Sequence, residues 1–424
     1  MHNYGFAKSY INELKCIKNM APDIRIGVIG LGYVGLPLFC LMSWNFVCVG
    51  LDVDKSRVNL LKNGIDDREC EKRHNIRLAL QKSTITSSYA DLIDCNVFIV
   101  CVPTGVDEQK RPDLKPLKSV CKSLGKILKS GDVVIFESTV FPGATESVCV
   151  PILEEYSNKK VNEDFSIGYS PERINVGDKK RRIATIPKIV SASNPNTLDM
   201  MHTLYSTVLD VPVVKASSIK VAETAKMYEN VQRDVLIALA NEYADFCKSE
   251  GISIDEVTEC ASSKWNFANV SPGLVGGHCI GVDTYYLLNR AQEIGQHLPL
   301  VQIARSINES EAQKVATRIK EYAVSMNAQR VLLLGFSYKA NTPDCRNTKV
   351  ADVYNELTRQ NLAVDCFDPI VDRRKVFKEY GIMVINTKSD LSADYDLVIK
   401  MVNHKAFNKL DFSTSTMIKL IDLL

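Results

Sequence analysis

One pattern constrains this chain more than any other: short, uniformly apolar runs alternate with helical stretches from Ile24 onward. Ile26–Ile29, Val47–Leu51, Val97–Val102, Val133–Glu137 and Ile167–Tyr169 have no polar face. A strand of that kind belongs in a parallel sheet covered on both sides, and its alternation with helices defines an α/β fold. Ser217–Glu250 differs. It carries apolar residues at Val221, Ala225, Val231, Val235, Leu239 and Tyr243, lacks Pro and Gly, and stops at Gly251, which predicts one long helix. We read it as a spine joining two halves and as a candidate dimer surface. After a helical region to about Met326, the runs Val331–Leu334, Ala363–Phe367, Met383–Ile385 and Leu397–Val402 predict a second sheet, and no internal repeat is visible.

The first strand runs directly into Gly30-Leu-Gly32-Tyr33-Val34-Gly35. At the junction of a strand and a helix, every one of these glycines is needed. Gly30 makes the tight turn, Gly32 lets the backbone approach a pyrophosphate, and Gly35 packs helix on strand. An acidic residue is then required about 20 positions on, at the end of the second strand, for the ribose hydroxyls; Asp52 supplies it. A carboxylate there favours NAD and repels the 2′-phosphate of NADP, although Lys55 and Arg57 follow closely and tolerate a phosphate. The expected fold is therefore α/β, with two Rossmann-like doubly wound parallel-sheet domains joined by a long central helix. The expected boundaries are an N-terminal extension over 1–24, an NAD-binding domain over 25–215, a central helical linking and dimerisation region over 216–325, and a second domain over 326–424.

Composition excludes several classes of partner. Lys+Arg 52 against Asp+Glu 50 leaves a net charge of +2 over 424 residues, so no overall field steers the chain to nucleic acid or anionic lipid. No apolar run approaches the ~20 residues a bilayer requires, and the first residues do not read as a secretory signal. Thirteen cysteines are scattered without a Cys-x-x-Cys pair, which points to free thiols in a reducing, cytoplasmic setting.

One cysteine stands apart. Ser271-Pro-Gly-Leu-Val-Gly276-Gly-His-Cys279-Ile-Gly-Val-Asp283 crowds glycines around a thiol and puts a carboxylate four residues on. A structural cysteine in a turn is the bland reading. Zinc fits poorly, because no second ligand pair stands at metal spacing, so no metal is expected. A thiol protease would leave the dinucleotide loop unexplained. Thiol and nicotinamide together make sense of each other: a thiolate adds to an aldehyde, hydride leaves the thiohemiacetal carbon, and the resulting thioester is hydrolysed to an acid.

With those residues in view, the chain resembles the UDP-glucose/UDP-mannuronate dehydrogenase family, NAD-dependent enzymes that oxidise the C6 alcohol of a UDP-sugar to a carboxylate. The resemblance rests on Gly30–Pro37, Ser138-Thr-Val-Phe-Pro-Gly143, Tyr169-Ser-Pro-Glu-Arg-Ile-Asn175, Glu223-Thr-Ala-Lys-Met-Tyr-Glu-Asn230, Gly276–Cys279 and Lys339…Asp344-Cys-Arg346. Ser263–Phe267, Pro272–Cys279 and Asn347-Thr-Lys349 are most similar to the branch acting on UDP-N-acetylglucosamine and UDP-N-acetylgalactosamine in capsule and O-antigen pathways. UDP-glucose or UDP-ManNAc oxidation, a two-electron dehydrogenase and an idle NAD-binding protein are the alternatives.

The resemblance implies roles. Cys279 matches the nucleophile. Lys226 and Asn230 match residues that hold the sugar oxygens and the developing oxyanion. Asp283 matches the carboxylate that pairs with that lysine and orders a water; the first alcohol proton goes either to that water, the reading favoured here, or to Lys226 itself. Thr139 matches a hydroxyl positioning the same water and Glu172 the acid of thioester hydrolysis. Thr104 and Thr139 join Gly30, Gly32, Tyr33, Val34, Gly35 and Asp52 in the cofactor set. Glu172, Arg173, Lys226, Asn230, Lys264, Gly276, Lys339 and Arg346 form the substrate set, with Lys339 and Arg346 facing the uridine diphosphate. A homodimer is also implied. Two positions depart from the family: Val176 replaces a second acid, and Thr284 stands where the branch has Pro, which is expected to loosen the loop after the nucleophile.

Overall fold

The computed structural model describes residues 24–174, 183–391, 395–410 and 415–424; Asn175, Val176 and all but the last residue of the 1–24 extension lie outside them. The described residues fall into two compact units that divide at Met227 and Tyr228.

The first unit is built on eight strands: β1 (Arg25–Ile29), β2 (Val47–Leu51), β3 (Thr84–Thr86), β4 (Val97–Val100), β5 (Val133–Phe136), β6 (Ser166–Tyr169), β7 (Lys188–Ala192) and β8 (Val213–Lys215). Their order in the sheet is β8-β7-β6-β5-β4-β1-β2-β3. From β3 to β6 this is the 3-2-1-4-5-6 order of a dinucleotide-binding sheet, all parallel. One junction departs from the expected parallel sheet: β6 and β7 pair antiparallel. A parallel neighbour needs a crossover of about a dozen residues, usually helical. Among the described residues between β6 and β7 the only helical segment is the short turn Ile183–Thr185. Helix α1 (Gly35–Met42) is buried along its whole length, as expected of a helix behind a dinucleotide loop. Helix α2 (Pro195–Val208) packs Met201, Leu204 and Tyr205 into the same core.

Helix α3 spans Ile219–Glu250, as the unbroken sequence between Ser217 and Gly251 predicts. In the second unit, α4 (Ile280–Glu293) and α5 (Pro299–Ser325) follow. A five-stranded sheet comes next: β9 (Arg330–Leu334), β10 (Ala363–Phe367), β11 (Val384–Ile385), β12 (Leu397–Lys400) and β13 (Thr416–Lys419). Its order is β11-β10-β9-β12-β13, parallel throughout, again 3-2-1-4-5.

The two sheets share one more feature that the sequence hides. Gly30 (φ +90°) and Gly335 (φ +95°) both follow a first strand. Each donates its N–H to the last carbonyl of the second strand, Leu51 and Phe367 respectively, at 2.8 Å. The chain thus contains a structural repeat without a legible sequence repeat.

A Cβ at Gly335 would stand 2.5 Å from the Val402 Cβ, whereas Gly131, with a similar φ of +91°, has open space around it. Gly335→Ala is expected to cost about 1–3 kcal/mol of overpacking beyond the left-handed strain both substitutions share. Urea denaturation of Gly335→Ala and Gly131→Ala proteins checks this, and equal losses would contradict it.

Candidate active site

In the first unit the glycine-rich turn is held by packing from behind. A Cβ at Gly35 would lie 1.8 Å from the Gly30 carbonyl oxygen, and one at Gly30 would lie 2.9 Å from that of Cys101. At Gly32 only the Arg68 guanidinium comes near, at 3.4 Å. Gly32, Tyr33 and Val34 are half-buried. No side chain caps the N-terminus of α1, and no acidic residue stands in its first turn, which suits it to a pyrophosphate.

Asp52, just past β2, accepts the Leu31 N–H at 2.9 Å on one oxygen and the Asp54 N–H at 3.0 Å on the other. A carboxylate has about four acceptor positions, so capacity remains for ribose hydroxyls. Arg57 does not serve as a phosphate site. It is buried, its Nε donates to the Leu31 carbonyl at 2.6 Å, and its Nη1 pairs with Asp66 at 3.1 Å and with Asp67. The Gly-rich turn is therefore clamped from both sides, by Asp52 on its N–H and Arg57 on its carbonyl. Sequence spacing alone shows Arg57 as a cation tolerant of a 2′-phosphate and does not reveal this clamp.

The loops after β4 and β5 are laced together. Thr104 Oγ1 donates to the Thr139 carbonyl at 2.6 Å and Ser138 Oγ to that of Val102 at 2.7 Å. The structure thus joins the two threonines singled out by resemblance. Beyond Thr139, Glu223 of α3 accepts the Gly143 N–H at 2.5 Å and the Thr145 N–H at 2.9 Å. Burial pushes its carboxyl up to about 7, aided by Glu146 and against those donors. Glu223 lies three residues before Lys226, which is itself buried.

Glu172 is 8% exposed. One of its oxygens accepts the Arg173 and Ile174 N–H groups at 2.6 and 2.7 Å, and the other meets the Lys188 Nζ at 3.1 Å. Arg173 donates from Nη1 to the Pro187 carbonyl at 3.0 Å.

In the second unit Cys279 is the N-cap of α4, the end of a helix that favours negative charge. Asp283, one turn on, is buried, and its N–H donates to the Cys279 carbonyl at 2.8 Å. Asn230 Nδ2 donates to the Asp283 carboxylate at 2.5 Å, so three of the expected residues stand together. The glycines before the thiol serve the protein's own packing. A Cβ at Gly276 would lie 2.8 Å from the Asn347 carbonyl, and one at Gly277 (φ +83°) 2.8 Å from the Tyr338 ring. Gly276 is thus fixed by approach to the chain itself. His278 Nε2 lies 3.5 Å from Asp344.

The expected loosening by Thr284 is overturned. Thr284 is buried within α4, and its hydroxyl donates to Asp234 of α3 at 2.9 Å, with the Ile280 carbonyl at 3.1 Å. Asp234 also takes the Arg305 guanidinium at 2.8 Å and the Asn308 amide at 2.7 Å. The hydroxyl anchors the start of α4. Arg346 grips Asp344 through Nε and Nη2 at 2.8 and 2.7 Å, and that pair, with His278, overcomes burial to hold the Asp344 carboxyl well below its usual range. A bidentate phosphate contact through that edge of Arg346 requires the pair to open. Lys339 is half-buried on the loop after β9, and Lys264 is exposed.

The second unit repeats the Asp52 device but closes it. Asp368, after β10, accepts the Phe336 and Ser337 N–H groups at 2.8 and 3.1 Å, the Ile370 and Val371 N–H groups at 2.9 and 3.3 Å, and meets His404 Nε2 at 3.0 Å. It is 0% exposed, against 9% for Asp52. A nucleotide ribose therefore has an acid to meet in the first unit and none at the equivalent place in the second.

Sequence models of the UDP-glucose/GDP-mannose dehydrogenase family match all three parts: its NAD binding domain over residues 24–209, its central domain over 220–310 and its UDP binding domain over 332–419. The chain belongs to this family. It is 45% identical over 392 residues to the UDP-N-acetyl-D-glucosamine 6-dehydrogenase of Pseudomonas aeruginosa and 42% identical over 393 residues to that of Salmonella typhi, covering 92% of both chains in each case. Among solved structures it resembles the UDP-D-ManNAc dehydrogenase of Pyrococcus horikoshii (TM-score 0.85, 26% identity, 95% of this chain and 96% of that one). It also resembles the NDP-N-acetyl-D-galactosaminuronic acid dehydrogenase of Methanosarcina mazei (TM-score 0.76, 27% identity, 94% and 89%). The cofactor is NAD, and the open Gly32, the uncapped α1 and Asp52 fit it. Among the described residues no disulfide joins the twelve cysteines, no three His, Cys, Asp or Glu side chains form a metal site, and no helix is long and apolar enough to cross a membrane.

Glu223 yields a pH prediction. Its folded pKa is raised, from 4.5 to about 7, so the stability it contributes is full below the unfolded value and is lost as pH rises through about 7. The stability of the wild type relative to Glu223→Gln should fall between pH 4.5 and 7.5 by up to ~3 kcal/mol. Urea denaturation across that range measures it; a difference that is flat or grows with pH would contradict it.

Proposed function

We propose that the chain oxidises the C6 hydroxyl of a UDP-N-acetylhexosamine, UDP-N-acetyl-D-glucosamine first, to the uronate, consuming two NAD and one water. The observation that carries this is Cys279 at the head of α4, one turn before an Asp283 that Asn230 holds at 2.5 Å. The names of the two 6-dehydrogenase relatives supply the substrate. Residues 25–215 bind the dinucleotide, 216–325 link and dimerise, and 326–424 bind UDP.

Bound NAD supplies a two-electron hydride acceptor, used once per oxidation, and Gly30, Gly32, Tyr33, Val34, Gly35, Asp52, Thr104 and Thr139 hold it. The protein's own side chains do the rest. Lys226 and Asn230, four apart on α3 and so on one side of it, hold the sugar oxygens, and the lysine stabilises alkoxide-like charge at O6. A water ordered by Asp283 takes the alcohol proton, and the Thr139 hydroxyl is given a water-positioning role. The Cys279 thiolate adds to the C6 aldehyde carbon, which keeps the sugar bound as a thiohemiacetal and then as a thioester. Glu172 takes a proton from the water that opens the thioester, the C–S bond breaks and the thiolate returns. Gly276, Arg173, Lys264, Lys339 and Arg346 complete the substrate set, the last two toward the diphosphate.

The protein is read as a cytoplasmic homodimer. Val221, Tyr228, Leu239, Tyr243 and Phe246 are exposed along α3, and Trp265, beside Lys264, is 92% exposed. Large apolar side chains grouped on one element mark an interaction surface.

Absorbance of NADH at 340 nm, run to completion on limiting UDP-sugar, tests the reaction. Two NADH per UDP-N-acetylhexosamine are expected, with UDP-glucose far slower, and Cys279→Ser should yield no acid. One NADH per sugar, or full acid output from Cys279→Ser, would overturn the covalent scheme.

A further inference from the structure

Glu172 is not an isolated carboxylate. Behind it, Lys188 at the head of β7 bridges to Glu137 at the end of β5, with Nζ 2.7 Å from the Glu137 Oε2 and 3.1 Å from the Glu172 Oε2. Tyr205 of α2 donates its hydroxyl to the other Glu137 oxygen, and its ring lies under the ammonium at 5.5 Å. All four side chains are buried. Two carboxylates share one ammonium, so the cluster carries one net negative charge away from water when both acids are ionised. Burial would lower the Lys188 ammonium, but the two carboxylates more than offset it and hold it above its usual range. Burial also raises Glu137, with Glu172 adding to the effect. Among the described residues the other titratable neighbours are the Cys101 thiol, pushed up by burial and by Glu137 and Glu172, and Arg173, whose guanidinium turns to Pro187.

We propose that Lys188 is a positioning residue for thioester hydrolysis: shared between Glu137 and Glu172, it fixes the Glu172 carboxylate as the proton acceptor, while Glu137 tunes it. This rests on the hydrolytic role given to Glu172 above. In that step water forms the new C–O bond, Glu172 takes its proton, the C–S bond breaks and the sulfur leaves as the Cys279 thiolate. A cluster one charge short of neutral accepts that proton readily. Without Lys188 the two neighbouring acids cannot both ionise, because like charges so close and so buried raise each other's pKa by a unit or more. Without the Glu137 charge, Lys188 belongs to Glu172 alone and weakens it as a base.

The two substitutions therefore act in opposite directions, which a merely structural role would not produce. The test is single-turnover hydrolysis of the acyl-enzyme, formed with UDP-N-acetylglucosamine and NAD and followed from pH 5 to 9 by intact mass of acid-quenched protein. Lys188→Met should move the acid limb up by at least one pH unit, a tenfold slowing at a fixed pH on that limb, and Lys188→Arg should restore it. Glu137→Gln should move the limb down and lower the plateau. Glu172→Gln should accumulate the Cys279 adduct. If Glu172→Gln hydrolyses at the wild-type rate, the role of Glu172 itself fails. If Glu172→Gln accumulates adduct while Lys188→Met and Glu137→Gln keep the wild-type profile, or shift it the same way, the proposal is wrong and the role of Glu172 stands. Should Lys188→Met not fold, Lys188→Arg and Glu137→Gln decide, a wild-type profile for Glu137→Gln overturning the proposal.

Discussion

A carboxylate at the end of a second strand, accepting backbone N–H bonds from the turn after the first, sets the ligand-facing loops of both units. Asp52 does this for Leu31, and Asp368 for Phe336 and Ser337. The turn needs a glycine with positive φ, and the acid supplies the acceptor that an exposed turn would otherwise find in water. What distinguishes the copies is saturation. Asp52 takes two backbone donors and is 9% exposed, while Asp368 takes four, meets His404, and is 0% exposed. One fold, built twice, thus yields one acid able to recognise a ribose.

The same economy of buried charge runs through the chemistry. Neither acid proposed for catalysis stands alone: Asp283 is held by Asn230, and Glu172 by two backbone N–H groups and Lys188. Buried carboxylates persist only when their acceptor positions are met, so each is oriented by the partner that makes its burial tolerable. Glu223 extends the principle to a loop, where it caps the segment after Thr139 from the helix that also carries Lys226.

Much of this was legible in the sequence, for identifiable reasons. Strands such as Val97–Val100 and Leu397–Lys400 announced themselves because central parallel strands are apolar on both faces. Thr84–Thr86, Val213–Lys215 and Thr416–Lys419 did not, because they are sheet edges with polar residues. Lys188–Ala192 opens on a lysine whose burial depends on two distant acids. The Gly30–Asp52 signature and Cys279 were readable because ligand chemistry fixes their spacing. The Arg57 clamp, the Lys188 bridge and the Thr284–Asp234 bond depend on residues far apart in the chain, and no local pattern encodes them. Thr284 shows the danger of reasoning from a lost proline alone: its hydroxyl found an acceptor fifty residues upstream.

The family's NAD and UDP binding domains fall on different sheets, and of their two equivalent acids Asp52 takes two backbone donors where Asp368 takes four. Calorimetric titration of NAD into the whole chain, with and without saturating UDP, tests this most directly. The structure predicts one NAD per chain, bound whether or not UDP is present. Two NAD per chain, or displacement of NAD by UDP, would contradict it.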